Sequence, residues 1–65
     1  MKGPTIIELA GHLDKKWEAN LHGMKISYKG KNTILSGLIL DEASLHGILN
    51  LIRDLNLKLI SINPA

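Results

Sequence analysis

The sequence predicts a small α+β domain: a two-layer sandwich of ferredoxin-like βαββαβ order. Three observations carry this reading. Met24, Ile26 and Tyr28 alternate with Lys25, Ser27 and Lys29, the period of a half-buried strand. Leu45, Ile48, Leu49, Ile52 and Leu55 fall at the three-and-four spacing of one buried helical stripe. Short apolar runs at both ends of the chain supply the first and last strands. The alternative is a three-stranded meander backed by the helix and a fourth strand. It applies if the first crossover, about ten residues, is too short to pass over a sheet.

Each element has a local reason. Residues 5–10, TIIELA, set Ile7 and Leu9 against Glu8 and read as a strand. Lys2, Gly3 and Pro4 before them offer no core residue, so residues 1–4 are expected to be loose, as are 63–65. Asp14 is placed to cap a short helix over residues 15–21, with Trp17 and Leu21 sharing its buried face and Gly23 ending it. The strand from Met24 meets a turn at Lys29-Gly30-Lys31-Asn32 and returns over residues 33–40, making a hairpin. In the returning strand Ile34, Leu38 and Leu40 occupy one face and Leu35 and Ile39 the other. Asp41 caps the main helix, Glu42 suits its first turn, and Asn56 tolerates the left-handed backbone that ends it after Leu55. Residues 57–62 form the last strand.

A chain of 65 residues makes one domain. At this size only about 60% of the unfolded surface is buried, so stability has a thin margin. There is no cysteine, which excludes disulfides and thiolate metal sites. Efficient packing or self-association must make up the difference. No apolar run reaches the roughly 18–20 residues of a membrane span, and MKGPTIIELAGHL does not read as a secretory signal. The expectation is a soluble cytoplasmic protein with no membrane partner. A net charge of +2 is too small to argue for nucleic acid.

The stretch SLHGILNLIRDL places a glycine inside a helix, at a cost of about 1 kcal/mol relative to alanine. Gly47 lies off the apolar stripe, beside His46, Asn50, Arg53 and Asp54. Packing against the domain's own core therefore does not account for it, and close approach of a second chain is the sharper expectation. Ile6, Ala10, Leu35 and Ile39 share a parity opposite to the helix layer, so Ile6, Leu35 and Ile39 are expected on an open sheet face that meets a partner.

No catalytic chemistry is expected. The serines lack an elbow or a partnered base, and the glycines form neither GxGxxG nor GxxxxGK[ST]. His12, His22 and His46 have no metal-binding spacing, so no metal and no cofactor are expected. Lys25, Lys29 and Lys31 cluster on the hairpin, but Tyr28 lies on the opposite face and no phenylalanine exists to stack bases. The expected role is a protein-association domain, homodimeric in closed symmetry, and not an enzyme. Its rivals are a weak nucleic-acid binder using the lysine hairpin and a small-ligand sensor at a dimer seam.

The chain also resembles a family of small, uncharacterised prokaryotic proteins. Leu13-Asp14 with Trp17, then Leu45-His46-Gly47, Arg53-Asp54-Leu55 and Leu59-Ile60-Ser61 carry the resemblance, which spans roughly residues 5–62. The family pattern has glycine where this chain has Asn56 and proline where it has Lys58; both departures touch the helix terminus. The resemblance implies a unit of this length and no known reaction or ligand.

Overall fold

The computed structural model describes residues 3–65. Strand β1 is Gly3–Ala10, followed by a 3-10 helix at Lys15–Asn20. Strands β2 (Lys25–Lys29) and β3 (Asn32–Ile39) precede helix α1 (Glu42–Asp54), and β4 (Lys58–Pro64) closes the chain. The ends expected to be loose are in part ordered: Gly3 and Pro4 belong to β1, and Asn63 and Pro64 to β4. Met1 and Lys2, also expected to be loose, lie outside the described residues.

The four strands form one sheet in the order β2-β3-β1-β4, with every neighbouring pair antiparallel. A meander of the first three strands would seat β1 beside β2. Instead β3 lies between them, so that alternative does not form. The architecture is α+β, a four-stranded antiparallel sheet with one α-helix. In the first crossover the expected α-helix is replaced by six residues of 3-10 helix. Trp17 N–H donates to the Asp14 carbonyl and Leu21 N–H to that of Glu18, both three residues back. So short a segment cannot repay α-helix nucleation, and 3-10 turns are the usual form of such connectors.

Helix α1 begins and ends where its sequence says. Asp41 Oδ1 accepts the Ser44 N–H at 2.8 Å. Asn56, at φ 59°, takes the left-handed position, while Leu57 N–H donates to the Ile52 carbonyl and Asn56 N–H to that of Arg53. This is a Schellman terminator, with asparagine in the usual glycine position.

The hairpin register decides which residues make the core. Lys29 pairs with Asn32 across the Gly30-Lys31 loop, which sets Tyr28 opposite Thr33 and Ile26 opposite Leu35. Paired residues share a face, so Leu35 joins Ile26 on the helix side, and β1 adds Ile7 and Leu9 to it. Leu35 is fully buried and Ile39 nearly so, which corrects their expected place on the open face. With a side-chain period of two, an error of one residue inverts a whole strand. Ile48 and Ile52 of α1 and Leu13, Leu21 and Met24 of the crossover complete the same cluster.

Two details fix the crossover against the sheet. Buried Thr33 Oγ1 accepts the Leu13 N–H at 2.9 Å and donates to the Gly11 carbonyl at 2.7 Å. Gly37 lets β3 pass close under Met24, whose Cα would be only 3.1 Å from a Cβ there.

Candidate functional site

With α1 and the crossover on one side, no element of the described residues covers the other side of the sheet. Pairing of Pro4 with Leu38, Ile6 with Ser36 and Glu8 with Ile34 places all six on that face. Ile6 therefore sits diagonally between Ile34 and Leu38, within side-chain reach of both. Ile6 is 41% exposed and Leu38 52%, while Leu40, just beyond the strand end, is 64% exposed. Glu8, the carboxylate on this face, accepts from Asn32 Nδ2 at 2.8 Å. Lys25, Ser27 and Lys29 continue the face along β2.

Of Ile6, Leu35 and Ile39, the three expected at an interface here, only Ile6 is placed on this face. Leu38 and Ile34 take the places assigned to Ile39 and Leu35. A signal for this was present: seating Tyr28 opposite Thr33 across the turn already sets Ile26 opposite Leu35.

The outer face of α1 is organised differently from the expectation. His46, Asn50, Arg53 and Asp54 are exposed, and Gly47 is half-buried. What approaches Gly47 is the chain's own His22, whose ring lies across the helix; a Cβ on Gly47 would fall 2.7 Å from His22 Nε2. His22 reaches there from a left-handed backbone position at φ 54°. The glycine thus has an intramolecular neighbour that the helix periodicity could not reveal. Around it the ionic contacts are long, His46 to Glu42 at 4.0 Å and Arg53 to Asp54 at 3.9 Å.

Several other polar residues have structural tasks. Tyr28 hydroxyl donates to the Leu13 carbonyl at 2.6 Å, and its ring stacks on His12 with centroids 4.1 Å apart. Glu18 accepts the backbone N–H of Ile26 at 2.8 Å and lies 4.0 Å from Lys25 Nζ. Backbone and side-chain hydrogen bonds from Ser44 hold the Asp41 carboxyl below its ordinary pKa, with His22 adding a smaller pull in the same direction. Among the described residues, no three histidine, aspartate or glutamate side chains gather where a metal ion could bind. No helix of the described residues is long and apolar enough to cross a membrane.

A family model with the description "Domain of unknown function (DUF8691)" matches residues 6–63. No curated protein and no solved structure matches the chain.

Proposed function

We propose that this chain, which belongs to the family described as a domain of unknown function, DUF8691, works by association rather than catalysis, as a homodimer joined through its open sheet face. The observation that carries the reading is the diagonal of Ile6 and Leu38 on a sheet side that no element of the described residues covers. Contiguous exposed aliphatic residues usually mark an interface. A dimer interface of ordinary size takes about 800 Å² from each partner. The protomer exposes 4111 Å² in all, so such a contact would cover about a fifth of it. For so small a domain the added burial would be a large share of its stability. The element order further supports reading the fold as a reduced ferredoxin-like unit, with its first helix shortened to a 3-10 turn.

Because the chain has no cysteine, single introduced cysteines report proximity directly. Leu38→Cys should form a cross-linked dimer under mild oxidation, and Ala43→Cys, on the exposed side of α1, should not. Equal cross-linking at the two positions would contradict the reading.

A further inference from the structure

The two edges of the sheet are finished differently. On the β2 edge Glu18 occupies the Ile26 N–H, and Lys25, Lys29 and Lys31 line the strand and its turn. Charge and covering of this kind keep further strands away. The β4 edge carries no charged residue beyond Lys58, and it exposes Leu59 and Ile60. Its pairing with β1 slips between Glu8 and Leu9, leaving Ile60 as the extra residue of a bulge. Bulges re-aim side chains. Here the bulge adjoins a groove of about 520 Å³ between β4 and the last turns of α1. Leu49, Ile52, Leu57 and Leu59 supply its apolar lining, Arg53 and Lys58 its charge, and no carboxylate lines it.

We propose that the β4 edge and this groove receive an extended peptide segment of another protein, one that alternates aliphatic and acidic side chains. The outward backbone groups of an edge strand lack ladder partners, and an added strand supplies them. The two-residue period would turn the aliphatic set into the groove and the acidic set to the opposite face of the added strand, where Lys58 stands across from Ala10. Arg53, on α1 at the mouth of the groove, would meet a carboxylate at the end of the segment. Arg53 is loosely engaged by exposed Asp54 at 3.9 Å, and its guanidinium has donors for an incoming carboxylate. A second copy of the chain fits this surface less well. β4 contains no acidic residue, so pairing it with itself gives Arg53 and Lys58 no counter-charge. The site lies on an edge of the sheet, and the proposed dimer uses a face, so the two readings stand or fall separately.

The test uses the full chain and a fluorescein-labelled octapeptide of alternating valine and glutamate, followed by anisotropy. Saturable binding below about 1 mM is expected, weakening about tenfold in the double variant Arg53→Ser/Lys58→Ser. Both positions are exposed, and unchanged circular dichroism would confirm that the variant is folded. Binding should also fall as salt rises, and it should disappear when alternate peptide amides are N-methylated. Equal binding of a valine–lysine peptide, or an unaffected double variant, would overturn the proposal. So would no saturation by about 1 mM. If that failure came with loss of self-association in Ile60→Lys, the edge would belong to a second copy instead.

Discussion

The ring of His22 lies over Gly47 of α1, so close that a Cβ there would come within 2.7 Å of its Nε2. The neighbour is the far end of an exposed side chain and can swing away, at the expense of its contact with the helix. Gly47→Ala should therefore change stability by less than about 0.5 kcal/mol, since the gain in helix propensity is offset by the displaced ring. In a His22→Asn background, which keeps a residue that tolerates the left-handed backbone, the same change should stabilise by about 1 kcal/mol. Chemical denaturation of the four proteins measures the difference. Equal effects in both backgrounds would mean that the ring does not govern the glycine.

Thr33 joins β3 to the crossover through one hydroxyl. Thr33→Val keeps the shape but strands the Leu13 N–H and the Gly11 carbonyl, and should cost about 2 kcal/mol or more. Thr33→Ser keeps both hydrogen bonds and should lose only about 1 kcal/mol for the methyl group. Urea unfolding separates them, and the ordering of the two variants is the decisive outcome.

Asp41 gives the fold an acid-sensitive contribution. Its folded pKa is depressed, so its stabilisation is present above the ordinary value of 3.8 and is lost as pH falls through the lower folded value. Asp41→Asn keeps a capping oxygen and lacks the charge. Its melting temperature should trail that of the wild type near neutral pH and converge with it in acid. A constant gap across pH would show that the charge contributes nothing.

Removing the Glu18 carboxylate should uncover the β2 edge. Glu18→Ala is expected to increase edge-to-edge aggregation on prolonged warming, measured by thioflavin fluorescence, whereas Glu18→Gln retains an acceptor for Ile26 and should stay near wild type.

The parts legible in the sequence are those fixed by a few neighbouring residues. Asp14 and Asp41 mark helix starts, Asn56 marks a stop, and the alternation from Met24 marks a strand, because each acts within one turn or one pleat. The faces of β3 were harder to read. Aliphatic residues occupy both parities, so hydrophobicity alone does not distinguish Leu35 from Leu38, and only the hairpin register does. Ile6 could be placed because β1 alternates with a carboxylate at Glu8. The contact of His22 with Gly47 depends on the crossover folding back over α1, and no local pattern encodes that. The same holds for Glu18, eight residues from the N–H it accepts.

Self-association through the open sheet face is the central claim, and light scattering across a dilution series tests it most directly. The wild type should show the mass of two chains at tens of micromolar, independent of salt, and dissociate on dilution. Leu38→Lys should remain folded and monomeric, because Leu38 is exposed, whereas the same change at Leu35 would put a charge into the core. A wild type that scatters as one chain up to the high micromolar range would contradict the account, as would a Leu38→Lys variant that still scatters as two.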